Sequence, residues 1–385
     1  MKTVYLDHAA TTPLDPRVLS AILPYYESRF GNASSLHWAG REAREALEKA
    51  REAVAETINA DPGEVIFTSG GTESDNLAVK GVAYALKRKG RHLITSSIEH
   101  PAVLESFKAL EMEGFKVSYI PVDRDGIVDV GKLEGEVRPD TILISVMHAN
   151  NEVGTIQPIE EIGDIAERRG VYLHTDAVQT MGKLPIDVER LKVSLLTISG
   201  HKIYGPKGVG ALYVREGVEV KPILHGGGHE GGLRSGTENV PGIVGLSVAA
   251  ENAVKEMDET VHRMRSLRDR LIRDLVDQVP GSILTGHPVK RLPNNAHFCF
   301  PGIEGESLIL ALNELGVAAS TGSACSSRKK EPSHVLLAMG LDPVAARGSL
   351  RLTLGKWNNE SEIEYAVKAI AETVEKLRGI SPVTR

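Results

Sequence analysis

The feature that most constrains this chain is an alternation of short β-branched apolar runs with longer amphipathic stretches. Runs at 65–68, 92–96, 117–120, 141–146, 171–175, 195–199 and 211–214 read as strands. Segments 41–58, 75–89 and 159–169 keep helical spacing between several of them. Strands that alternate with helices give an α/β fold, a mostly parallel sheet covered on both faces. Ligands of such sheets bind beyond the carboxyl ends of the strands.

The pattern changes between 246 and 279. Val248, Ala249, Val254, Met257, Val261, Met264, Leu267, Leu271, Leu275 and Val279 keep one helical apolar face, which predicts one long helix with room for a kink. New strands are expected at 297–300, 317–320 and 349–354, with a closing helix over 360–377. The expected organisation is a large domain over 16–255 and a smaller α+β domain built from 1–15 and 256–385.

Composition narrows the partners. The 385 residues are 41% hydrophobic and 25% charged, which is ordinary for a soluble globular chain. A net charge of -6 leaves no global basic field, so nucleic acid is not the expected partner. Two cysteines exclude a disulfide framework and point to a reducing compartment. The first residues lack the apolar run of a signal peptide, and no apolar stretch is long enough to span a membrane. A cytoplasmic location is expected.

Four segments carry the candidate chemistry. Ser69-Gly70-Gly71-Thr72-Glu73 lies between a strand and a helix, where small residues and free N–H groups suit a phosphate. The plain alternative is a turn in which Thr72 or Ser74 caps the helix. Asp176, at a strand end, either caps the next element or pairs with a heterocyclic nitrogen and keeps it protonated. Lys202 follows another strand within Ser199-Gly200-His201-Lys202 and has flexible glycine flanks. Most lysines are solvated, but one drawn into a cleft has a lowered pKa and forms Schiff bases. Cys325 lies in Ser323-Ala324-Cys325-Ser326 just before Arg328, Lys329 and Lys330, and nearby cations favour a thiolate. The other cysteine, Cys299, reads as an inert strand residue. Phosphate cradle, acid and lysine, in that order on an alternating chain, are the logic of a fold-type I pyridoxal-phosphate enzyme. The spacing from Asp176 to Lys202 leaves room for one helix and one strand, which predicts neighbouring strand ends for the two.

Together with 5–13, 31–37, Glu99-His100, 148–154, 176–179 and 234–239, these segments resemble the cysteine desulfurases that supply sulfur for iron–sulfur clusters. The resemblance runs nearly end to end. It implies that Lys202 bonds the pyridoxal phosphate, with Gly71, Thr72, Ser199 and His201 on its phosphate. Thr237 would reach the phosphate of a neighbouring subunit, making the active unit a homodimer. His100 would stack on the ring, Asp176 would pair with the ring nitrogen and Gln179 with the ring hydroxyl. Asn151 and Arg351 would face the substrate carboxylate. Each has a plainer reading: His100 as a helix cap, Gln179 and Asn151 as turn residues, Arg351 as an outward strand residue.

The implied reaction converts L-cysteine to L-alanine. Lys202 would take the Cα proton, with His100 handling protons, and Cys325 would accept the sulfur as a persulfide. The sulfur would pass to an iron–sulfur scaffold protein or another acceptor. Cluster ligation by Cys325 within such a complex stays open, since one thiol cannot hold a cluster alone. A selenocysteine lyase or another pyridoxal-phosphate enzyme on this scaffold is the alternative.

Overall fold

The structure, a computed structural model, describes residues 3–322 and 332–380. The first strand, β1 (Val4–Tyr5), is followed by helices α1 (Pro16–Ile22), α2 (Pro24–Glu27) and α3 (Trp38–Glu56). The alternating stretch then runs β2 (Val65–Thr68), α4 (Gly71–Leu86), β3 (His92–Ser96), α5 (Pro101–Met112), β4 (Lys116–Ile120), α6 (Val130–Glu136), β5 (Thr141–Ser145), α7 (Ile159–Arg169) and β6 (Tyr172–Asp176). Next come β7 (Leu195–Ser199), a short 3-10 turn Gly200–Lys202 and β8 (Gly210–Val214). The remainder holds α8 (Val240–Lys255), α9 (Met257–Gln278), β9 (Ile283–Thr285), β10 (Asn295–Cys299), α10 (Gly305–Glu314), β11 (Val317–Ala318), α11 (His334–Ala338), α12 (Pro343–Arg347), β12 (Ser349–Thr353) and α13 (Glu360–Ile380).

Seven strands form one sheet in the order β2-β8-β7-β6-β5-β3-β4. Only β8 runs against the rest, pairing antiparallel with both β2 and β7. The mostly parallel α/β sheet expected from the alternation is present. Successive residues point to opposite faces of a strand, and here both faces are buried. Ile94, Ile144 and Leu196 join one core with Leu47 of α3, Ile162 of α7 and Leu246 of α8. Their neighbours Leu93, Leu143 and Leu195 join another with Leu77 of α4 and Phe107 of α5. This double burial explains why the strands read as continuous apolar runs.

A third core gathers Leu6, Leu271, Phe298, Leu312, Leu352 and Ile370. Its sheet has the order β12-β10-β9, with α9, α10 and α13 supplying the helical side. Strand β1 joins this end of the molecule, pairing parallel with β11 through Val4↔Val317 and Tyr5↔Ala318.

Two expectations need correction. The single helix predicted across 246–279 is two, α8 and α9, meeting at Glu256 (φ -93°, ψ 1°). Apolar spacing runs through the break, so periodicity alone could not show it. The Glu256 carboxylate faces Arg17 and Lys356 there, at 2.5 and 3.3 Å. The β6–β7 connection also lacks the expected helix and consists of turns and irregular chain. Its apolar residues Ile186, Val188, Leu191 and Val193 are nevertheless buried in the first core. Among the described residues, no helix is long and apolar enough to cross a membrane.

Candidate active site

Parallel pairing in register sets the site. Strands β6 and β7 lie side by side (His174↔Leu195, Asp176↔Thr197), so Asp176 and the turn carrying Lys202 emerge at the same carboxyl edge. Asp176 is 7% exposed, and one carboxylate oxygen accepts from the Val178 N–H at 2.9 Å. Burial pushes its pKa up, while the charges of His100 and Lys202 pull it down.

Lys202 is tied to the start of the chain. Its Nζ donates to the main-chain oxygens of Ala9 and Ala10, at 2.5 and 2.7 Å. The Ala9 oxygen also accepts from Gln179 Nε2 at 3.0 Å, which brings Gln179 to the same corner. Segment 9–12 is held there from both sides. Thr12 N–H donates to the His201 carbonyl at 2.9 Å, and Thr11 Oγ1 contacts His201 Nδ1 at 3.1 Å. Burial and the charges of Lys202 and Lys207 bring the His201 pKa down to about 4, so its ring is neutral at physiological pH.

His100 is the N-cap of α5, where Ala102 N–H donates to Nδ1 at 3.1 Å. The plain capping role is therefore real, and it leaves the rest of the ring facing the charges of Asp176, Lys202 and His334. Burial lowers its pKa below the ordinary histidine value. Its chain neighbour Glu99 is fully buried, with Ser96 Oγ donating at 2.5 Å and Met147 N–H at 2.9 Å. Burial raises its carboxyl to about 8.

The amino end of α4 faces the same edge. Gly70, at φ 147°, is its N-cap and offers no side chain to the first N–H groups. Neither Thr72 nor Ser74 caps it; Ser74 Oγ instead meets Thr68 Oγ1 at 2.8 Å. A Cβ at Gly71 would lie 3.0 Å from Val178 and 3.7 Å from Ser199, so the hollow between α4, the Asp176 turn and β7 depends on glycine. Unsatisfied N–H groups at a side-chain-free helix start suit a phosphate. The buried carboxylate, the lysine and this hollow fit pyridoxal phosphate by donor chemistry.

Arg351, on β12, is 3% exposed. Its Nη2 pairs with Asp7 at 2.8 Å and its Nη1 donates to the Asn151 carbonyl at 3.0 Å, while Nε is buried without a partner. Arg351 and Asn151 are thus brought together, and the outward reading of Arg351 is excluded by its burial. Thr237 is not brought to this cluster; it is exposed on the chain leading into α8. Cys325 lies outside the described residues. Cys299 is fully buried in β10, and burial pushes its thiol up to about 12, as fits an inert strand cysteine. Sequence reading missed Asp7, Lys183, Glu99 as a neutral acid, and the Ala9 and Ala10 carbonyls. Main-chain acceptors carry no residue signature, whereas segment 5–13 was marked as a motif without a role for Asp7.

Comparison with known proteins agrees with this geometry. The sequence model of the family described as "Aminotransferase class-V" matches residues 4–366, and the chain belongs to that family of pyridoxal-phosphate-dependent enzymes. Within it, the chain is 52% identical over 381 residues to "Cysteine desulfurase IscS" of Dictyoglomus turgidum, covering 99% of this chain and 97% of that one. It is also 52% identical to "Cysteine desulfurase IscS" of Methanosarcina thermophila, over 100% of this chain and 95% of the relative. The chain is thus a member of the cysteine desulfurases. A solved "NIFS-LIKE PROTEIN" superimposes with a TM-score of 0.92 at 44% identity, covering 98% of this chain and 100% of that one. A structure titled "SspA in complex with cysteine" gives 0.82 at 38% identity, over 93% and 100%.

Proposed function

We propose that this chain removes sulfur from L-cysteine, releases L-alanine, and passes the sulfur to an iron–sulfur assembly acceptor through a persulfide on Cys325. One observation carries this reading: Asp176 and Lys202 converge at neighbouring strand ends beside the side-chain-free start of α4.

Gly71, Thr72, Ser199 and His201 would hold the cofactor phosphate. Lys202 would bond the cofactor, Asp176 and Gln179 would face its ring nitrogen and ring hydroxyl, and His100 would cover its face. When bound, pyridoxal phosphate supplies an electron sink for charge left on the substrate α-carbon. Arg351 and Asn151 orient the substrate carboxylate. The Lys202 amine takes the Cα proton. Neutral His100 is suited to move a proton near the sulfur. The Cys325 thiolate bonds the substrate sulfur as the carbon–sulfur bond breaks; a proton replaces sulfur on the substrate β-carbon, leaving alanine and a Cys325–S–S⁻ group.

The active unit in this reading is a homodimer, with Thr237 serving the partner's phosphate. Tyr26, Phe30, Leu36 and Trp38 support it, being 66%, 72%, 90% and 67% exposed on one short stretch of chain. The larger unit spans 16–255, and 1–15 joins 256–385 in the smaller one; the break at Glu256 and the separate core around Phe298 support that division. A cytoplasmic setting is supported by two cysteines in 385 residues.

The test is to supply L-cysteine and reductant and assay alanine and sulfide together. Equal yields are expected. Cys325→Ala is expected to keep the cofactor and lose sulfide release by several orders of magnitude; sulfide at the unmodified rate would remove Cys325 from the reaction.

A further inference from the structure

The guanidinium that would receive the substrate carboxylate already carries a carboxylate of this chain. Arg351 Nη2 pairs with Asp7 Oδ1 at 2.8 Å. Among the described residues Asp7 is the one carboxylate paired with Arg351. Glu152, next in the chain to Asn151, is buried but accepts from Ser333 Oγ at 2.5 Å. A turn sets Asp7 in place: its main-chain oxygen accepts from the Ala10 N–H at 3.0 Å, and its backbone bridges Thr353 of β12. The same turn presents the Ala9 and Ala10 carbonyls to Lys202 Nζ. Segment 7–10 thus touches both cations that the substrate would meet.

This contact differs from ion pairs elsewhere in the molecule. Arg51 holds Glu230 through Nη1 and Nη2, at 2.8 and 2.7 Å, and Arg268 holds Asp269 through Nε and Nη2, at 2.8 and 2.6 Å. Each spends two donor nitrogens on its carboxylate. Arg351 meets Asp7 through Nη2, its Nη1 goes to the Asn151 carbonyl at 3.0 Å, and its Nε is buried with no hydrogen-bond partner among the described residues. A carboxylate seated on Nε and Nη2 would make the two-point pairing that guanidinium geometry favours. It would also satisfy a buried donor that is costly to leave unmet. The Asp7 side chain is 19% exposed against 4% for Arg351, so the pair can open from the Asp7 side.

We propose that Asp7 is a positioning residue that occupies Arg351 while the site is empty and is displaced by the carboxylate of the amino-acid substrate. This rests on the reading of Arg351 as the group that receives that carboxylate. Asp7 keeps the buried guanidinium paired between turnovers. It also competes with every ligand whose carboxylate goes there, alanine included, and so favours product departure. The inference is tested by calorimetric titration of the holoenzyme with L-alanine, and with ethylamine, which lacks the carboxylate. Asp7→Asn keeps the size and an acceptor oxygen and removes the charge. It is expected to tighten L-alanine about tenfold, the scale of a charge-assisted against a neutral hydrogen bond, and to leave ethylamine unchanged. KM for L-cysteine is expected to fall with it, without a rise in kcat. L-alanine binding that is unchanged or weaker in Asp7→Asn would overturn the inference. So would an equal shift for both ligands, since a merely structural role does not tell them apart. Arg351→Lys checks the underlying reading separately and is expected to weaken L-alanine and spare ethylamine. L-alanine affinity that survives in Arg351→Lys would overturn the role of Arg351, and the inference with it.

Discussion

Glu99 shows how one side chain can set a pH response for the site. Its carboxyl is fully buried against Ser96 and the Met147 N–H, and with a folded-state value of about 8 it is uncharged at pH 7. A raised folded pKa means that the folded chain holds this proton more tightly than the unfolded chain. The resulting stabilisation is complete below about 4.5 and is lost as pH rises toward about 8. Glu99→Gln removes that dependence while keeping an acceptor for the Met147 N–H. Urea midpoints at pH 5 and pH 8.5 are expected to show the stability gap between parent and variant moving in the variant's favour at the higher pH. A gap independent of pH would mean that Glu99 does not hold the proton. At this same scale the sequence showed Lys202 and Asp176 because a charged residue ending an apolar run is conspicuous. Lys183 stayed hidden because a lysine in a polar turn reads as surface until the fold buries it. Asp7 stayed hidden because its partner Arg351 lies 344 residues away.

At the scale of elements, α1 depends on Asp15. The residue is its N-cap, with the Arg17 N–H donating to the carboxylate at 2.9 Å, and the same carboxylate pairs with Lys356 from beyond β12. The Arg17 guanidinium and then the Lys356 ammonium hold this carboxyl well below the usual range. Its depressed pKa stabilises the fold above about 3.8, and that contribution is lost as pH falls. Asp15→Asn keeps a cap and removes the charge, leaving Lys356 with Glu256 alone. Asp15→Ala is expected to cost about 1 kcal/mol more than Asn, the worth of a cap, in chemical denaturation. Equal costs would place the whole effect in the ion pair. Strands were legible to within a residue at most edges because double burial makes each a compact apolar run. Helix α4 begins four residues before the amphipathic segment read from 75, since its first turn opens on the polar hollow and carries no apolar spacing. The missing β6–β7 helix could not be read, because the buried apolar residues of that connection are held by the surrounding core and not by a helical repeat of their own.

For the whole molecule, the exposed run from Tyr26 to Trp38 is the feature that a single chain leaves unexplained. Leu36, the most exposed of its apolar side chains, is where a charge would oppose association most directly. Leu36→Asp is expected to give a monomer by light scattering and, through loss of the partner's Thr237, weaker retention of the cofactor on dialysis. A dimer of unchanged stability would move the interface elsewhere.

The pairing of β1 with β11 sets a timetable for making this protein. Val4 leaves the ribosome well before its partner Val317, which follows roughly 300 residues later, ~15–60 s at ordinary rates of synthesis. Over that interval the seven-stranded sheet can assemble, while the opening strand waits with its hydrogen bonds to water. The carbonyls of Ala9 and Ala10 sit just after that strand, so the corner that receives the Lys202 amine gains this second anchor only once β11 has been made. A nascent chain halted before β11 would hold Lys202 and the start of α4 on the assembled sheet, with β1 still unpaired. Order of synthesis thereby delays the full anchoring of the corner around the Lys202 amine until β11 has emerged.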